Sequence, residues 1–218
     1  MKSIYTLAAI ATFGFVSAQK NELREFSTLA VTGKINLTFV KATTSSIEVT
    51  KGNAGNLKIA SDGENTALSL AKGNEGVSAT VYYTSAMQNL AVGGGAEAHS
   101  KDAFTGTEFA LSVAAGSKVH FVTDVETLQT AAASGSEVVI TGKAKKIEAA
   151  IASGANFDAK KVEATKVEIT IAAGAKAAVN AKDEVSVNVA SGGELTIYGN
   201  PKQVNEVKAA NGVVKRAK

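Results

Sequence analysis

The chain's two histidines, His99 and His120, are the first candidates for chemistry. Each lies four residues after a glycine that ends a small-residue bend. If those bends stack, the two imidazoles face outward on neighbouring strands, about 5 Å apart. Imidazole nitrogens suit divalent transition metals. The next places in such a stack hold Val139 and Asp158, so no carboxylate completes a ligand set beside the pair. The plainer expectation is surface stacking, with no metal and no cofactor. Two histidines without a cysteine leave little to build a Ser/His/Asp or Cys/His triad from. They also exclude disulfides and thiolate metal sites.

Carboxylates can act without histidine, as in β-helical polysaccharide lyases and hydrolases. Such sites need several acids converging on one face. Asp102, Asp124, Asp158 and Asp183 fall at different phases of the repeat described below. Glu97, Lys118, Glu137, Asn156, Lys176 and Glu194 recur at one phase with signs that differ between charged neighbours. That suits a cross-strand ladder better than an active site. A basic group remains: Lys143, Lys145, Lys146, Lys160 and Lys161, with Lys166 nearby. These lysines fall in the links of two successive units and could form one edge for a polyanion such as an acidic polysaccharide. Glu148, Asp158 and Glu163 are interspersed, and a solvated link is the ordinary explanation. Gly93-Gly94-Gly95 is not followed by Lys-Ser/Thr, so it is no phosphate loop. A net charge of +3 makes no case for nucleic acid.

The elements that would position these groups follow from a repeat. Gly95, Gly116, Gly135, Gly154, Gly174, Gly192 and Gly212 each close a bend of small residues. From Gly95 to Gly212 is 212 − 95 = 117 residues in six steps, a period of about 19.5 that marks a stack of similar units. Before each glycine apolar residues alternate with polar ones, as in Val167/Ile169/Ile171 and Val185/Val187/Val189. After it alternation resumes, as in Val119/Phe121 and Val138/Ile140. Period-two alternation means a strand with one buried face. Each unit therefore reads as strand, tight bend, strand and polar link. The expected fold is all-β: a single-stranded parallel β-solenoid, β-helix-like, with coils of about 20 residues. An antiparallel β-sandwich is the alternative, but the bend chemistry recurs at every second turn, which favours coils. Alanine stands two before the glycine in six of the seven units. An inward bend with room only for a methyl would explain it, placing Ala152 and Ala190 inside and Ala150 outside.

Residues 19–87 alternate less regularly and read as a β-rich N-terminal cap over the first coil of residues 88–218, the whole of 19–218 forming one continuous domain. Pro201 and the basic tail with Lys215 and Arg216 could blunt the other end. The opening Met1-Lys2, the apolar run Ile4–Val16 and the small residues through Ala18 read as a signal peptide over 1–18. No later segment is apolar enough to cross a bilayer as a helix.

Several motifs together carry a family resemblance. They are Arg24-Glu25-Phe26, the alternating Leu29–Leu37, the serial Ala-Ser-Gly bends and the closing Tyr198-Gly199-Asn200-Pro201. Over about residues 22–214 the chain is similar to the bacterial family called putative autotransporter adhesin, head GIN domain. That resemblance implies a β-helical solenoid on a protein exported by Gram-negative bacteria, to the periplasm, the outer surface or the medium. It brings no catalytic residues. The expectation is an exported, non-enzymatic, adhesin-like binding or structural module, with an acidic polysaccharide or another surface macromolecule as partner. The alternative is a carbohydrate-active β-helix enzyme.

Overall fold

The computed structural model describes residues 20–71 and 75–217. The signal peptide expected over 1–18 lies outside them. The described chain is a parallel β-solenoid, joined throughout by one continuous sheet of sixteen strands.

Five long strands make its regular part: β9 (Glu97–Val113), β10 (Lys118–Ala132), β11 (Glu137–Ile151), β12 (Asn156–Ile171) and β13 (Lys176–Val189). Each begins after one glycine bend, turns a corner at the link and ends before the next bend. Each pairs in parallel with its neighbours on both halves. Lys118 pairs with Glu137, 19 residues on, and Glu137 with Asn156, again 19. Register shifts after His120, Val139 and Ala159 place the variation in unit length at the links. Every apolar position expected inside is buried, from Phe109/Leu111/Val113 to Leu195/Ile197. Removing each Val, Leu, Ile or Phe side chain among them from water contributes about 1.5–3 kcal/mol.

The bends differ from the expectation in one respect. Ala115, Ser134, Ser153, Ala173 and Ser191 have φ between 50° and 55°, and the glycine after each is also positive. Two successive positive φ values define a type I′ turn. Its closing hydrogen bond runs, for example, from Ala155 N to Ala152 O at 3.1 Å. This geometry turns both central residues outward. The inward position is therefore the one after the glycine: Ala96, Ser117, Ser136, Ala155 and Ala175 are buried. Ala152 and Ala190 are only half-buried, so they are not the inward methyls. Ala150 is exposed, as expected. At the last bend the left-handed pair is Ala210-Asn211. Gly212 lies one place later, opposite Gly193, where an added Cβ would sit 2.4 Å from Val189 O.

The solenoid does not begin at residue 88. β2 (Thr28–Thr32) pairs in parallel with β8 (Asn89–Gly93), and β3 (Ile35–Lys41) with β9. Beyond them lie β6 (Asn65–Leu70), parallel to β2, and β7 (Val77–Tyr83), parallel to β3. The β2–β3 rung is thus inserted between two rungs that follow it in sequence. Among the described residues only β1 (Lys20–Glu22), β4 (Ser46–Lys51) and β5 (Leu57–Asp62) join the sheet through antiparallel pairing alone, and they close this end. The expected cap over 19–87 therefore divides into true cap strands and two further rungs. At the other end β14 (Glu194–Gly199), β15 (Gln203–Lys208) and β16 (Val213–Arg216) finish the stack. Among the described residues no helix is long and apolar enough to cross a membrane.

Candidate functional site

The outer surface of the strands that precede the bends carries an open concavity. Three columns of side chains run along it. Nearest the bends stand Ser112, Ala131, Ala150, Thr170 and Asn188, in register on successive strands. Along the middle stand Ala110, Gln129, Glu148, Glu168, Ser186 and Asn205. Nearest the links are Glu108, Thr127, Lys146, Lys166, Glu184 and Gln203. Small side chains in the first column leave an open trough of about 730 Å³ crossing β9 to β13 and reaching β15.

A continuous polar network runs along one side of the trough, which its Glu148, Glu168, Ser186 and Asn205 line. Lys146 pairs with Glu148 and, at 3.0 Å, with Glu168. Lys166 pairs with Glu168 at 3.0 Å and Glu184 at 3.3 Å. Glu184 Oε1 accepts from Ser186 Oγ at 3.1 Å and from Asn205 Nδ2 at 3.3 Å. Hydrogen bonds from Lys146 and Lys166 hold the Glu168 carboxyl below the usual carboxylate range. Hydrogen bonds to Glu148 and then Glu168 raise the Lys146 pKa, and those to Glu168 and then Glu184 raise that of Lys166. The opposite side carries the methyl, hydroxyl and amide groups of Ser112, Ala131, Ala150, Thr170 and Asn188.

The expected lysine edge is divided by the fold. Lys143, Lys145, Lys160 and Lys161 lie at or beside the links, whereas Lys146 stands further along its strand, in register with Thr127 and Lys166. Lys145 pairs with Glu126, and Lys160 pairs with Asp158 at 2.8 Å. A hydrogen bond to Asp158 raises the Lys160 pKa. Lys143 and Lys161 make no ion pair among the described residues. Lys143 stands in register between Asp124 and Glu163.

The expected ladder of Glu97, Lys118, Glu137, Asn156, Lys176 and Glu194 is in register. Its one ion pair runs diagonally, from Lys215 to Glu194, and that contact lowers the Glu194 pKa. His99 and His120 are direct register partners, both exposed. The four aspartates stay apart: Asp102 accepts from Lys41 N at 3.0 Å, Asp158 pairs with Lys160, and Asp183 with Lys202 at 2.8 Å. Asp124 sits beside Lys143 in register. The trough is the feature that sequence reasoning missed. Its signal was present four residues before each glycine, where Ser112, Ala131, Ala150, Thr170 and Asn188 are all small or short.

Comparison with known proteins bears on the fold and the family. The profile of the family described as putative auto-transporter adhesin, head GIN domain, matches residues 25–201. A putative adhesin from Bacteroides fragilis has a similar structure, with a TM-score of 0.82 at 14% identity, covering 92% of this chain and 96% of that one. A putative adhesin from Parabacteroides merdae gives 0.72 at 16% identity, over 93% and 96%. A putative lipid binding protein from Parabacteroides distasonis gives 0.70 at 14% identity, over the same shares. At such identities the likeness is one of fold. No functionally curated protein matches the chain in sequence.

Proposed function

Because the chain belongs to the family of putative auto-transporter adhesin, head GIN domains, we propose that it is an exported, non-enzymatic binding module, adhesin-like, at the envelope or surface of a Gram-negative cell. Its ligand lies along the trough. The observation that carries this reading is the trough's form: about 730 Å³ of open, small-residue surface spread over six strands. Such a surface suits an extended polymer, such as a cell-surface polysaccharide, lying across successive rungs. Glu168, a carboxylate on the trough, does not suit the general-acid role in glycoside hydrolysis. Glycoside hydrolysis requires an acid whose pKa is raised, and Glu168 is shifted the other way by its lysines.

The test is a pull-down of surface polysaccharides by the mature protein. Ala131→Trp with Ala150→Trp fills the trough from exposed positions and should abolish capture. Lys143, Lys145, Lys160 and Lys161 changed together to Gln should leave it intact. The reverse result would favour a second reading, an acidic polysaccharide on the link edge, for which the unpaired Lys143 and Lys161 speak. Release of new reducing ends from the polysaccharide would overturn the non-enzymatic reading.

A further inference from the structure

We propose that His99 and His120 form a two-imidazole site for a divalent transition-metal ion on the outer face of β9 and β10. The chain contains two histidines. The fold brings both to one place, as register partners on adjacent parallel strands. Both are exposed, so both rings are open to solvent ligands.

The backbone beneath them is fixed. Ala98 and Phe121 beside them are fully buried. Immediately after His120 the pairing shifts, and Ser100 Oγ accepts from Val122 N at 2.9 Å. That bond anchors the two strands where the ladder is interrupted. Neighbouring parallel strands lie about 4.8 Å apart. Two nitrogens on one ion at about 2.0–2.1 Å each are roughly 3 Å from one another when they are cis. A small convergence of the two rings therefore closes the site.

The surroundings set the chemistry. In the column of the histidines, Thr38 lies beyond His99 and Val139 beyond His120. No group of three or more metal-ligating side chains occurs among the described residues. Water would fill the remaining positions. Two residues earlier on the same face run Glu97, Lys118 and Glu137, whose formal charges sum to −1 and do not repel a cation. Imidazole ligands favour copper, nickel and zinc, in the order copper first. Calcium and magnesium, which take oxygen ligands, are not expected to bind here.

The experiment is a titration of the mature protein with copper(II) at about pH 7.5, where free imidazole is mostly neutral, followed by electron paramagnetic resonance. The expected result is one tight ion per chain with two imidazole nitrogens in its coordination sphere. His99→Ala and His120→Ala should each weaken binding at least about tenfold and leave one nitrogen. Both positions are exposed, so thermal melting without metal should match wild type. Calcium should neither bind nor compete. Copper held equally well by either variant, or a signal with fewer than two imidazole nitrogens in wild type, would overturn the site.

Discussion

The two ends of the solenoid are closed in different ways. At the N-terminal end, antiparallel β1, β4 and β5 lie over the last parallel rung. Beneath them Phe39, Tyr83, Phe104, Phe109 and Phe121 form one chain of ring contacts, with centroids 4.9–6.4 Å apart. The C-terminal end has no such cover among the described residues. Its final rung places Val204, Glu206 and Lys208 opposite the buried Val185, Val187 and Val189. Arg216 stands opposite the buried Ile197. Glu206 pairs with Lys208 at 2.9 Å and with Arg216 at 3.6 Å. Three columns that are apolar along the solenoid thus end in one carboxylate paired with two cations. Inward-pointing charge is a known way to stop a sheet edge from recruiting another. One end is closed by packing and the other by the cost of stripping water from ions.

Restoring the apolar columns at the charged end should have the largest effect. Changing Glu206, Lys208 and Arg216 together to Val would present a continuous hydrophobic end with a free sheet edge. We expect concentration-dependent self-association, read by light scattering after size exclusion, well beyond whatever wild type shows. An unchanged mass would mean that the charges do not guard this end. Next comes Phe104→Ala, which removes a fully buried ring that contacts four aromatic neighbours. Large-to-small changes of this kind cost about 3–5 kcal/mol. Val204→Ala, at the half-buried opposite end, should cost about 1 kcal/mol or less. Urea midpoints measure both, and equal losses would erase the distinction between the ends.

The different visibility of these features has a physical cause. Strand faces repeat every two residues, so the inward residues of β9 to β13 were legible, and so was the pairing of His99 with His120. The rung order at the N-terminal end was not. Strand β2 pairs with β6 and β8, far along the chain, and such pairing leaves no local trace. The bend was half legible. Its glycines mark the place, but the direction of a side chain depends on the sign of φ, and Ala152 and Ala155 look alike in sequence. The trough was hidden because each strand contributes only two or three outward residues to it. The lysine cluster was legible as a candidate edge, but which of its members are paired was not, since Glu126 and Asp158 reach Lys145 and Lys160 only after folding.

Tyr83 is buried at the packed end. Its side chain is 3% exposed and its hydroxyl has no hydrogen-bond partner. Burial, with a smaller contribution from Asp102, pushes its pKa up to about 12. An unfolded tyrosine ionises near pH 10. The stabilisation from keeping Tyr83 neutral is therefore complete below about pH 10 and is lost as pH rises towards about 12. Linkage bounds the loss at about 2–3 kcal/mol. Tyr83→Phe should show a shallower alkaline decline than wild type. At neutral pH it should be equally or more stable, because an unpaired buried hydroxyl is removed. Parallel declines in the two proteins would place the alkaline sensitivity elsewhere.

The smallest expected effect concerns the bends, which connect the two ends. Ser153 holds φ at 51° without being glycine. Left-handed backbone costs a residue with a Cβ roughly 1–2 kcal/mol. Glycine removes that strain but gives back about 0.5–1 kcal/mol through the greater freedom of the unfolded chain. Ser153→Gly should therefore stabilise by about 0.5 kcal/mol, and Ser153→Val should destabilise, because a β-branched side chain tolerates this region least. At the charged end the last bend already has Asn211 at φ 65°, a residue that adopts the region readily. Asn211→Gly should change stability by less than Ser153→Gly does. Calorimetric melting of the three variants orders them. If Asn211→Gly stabilised more than Ser153→Gly, bend strain would be concentrated at the open end, and the final rung would be held less firmly than its ion pairs imply.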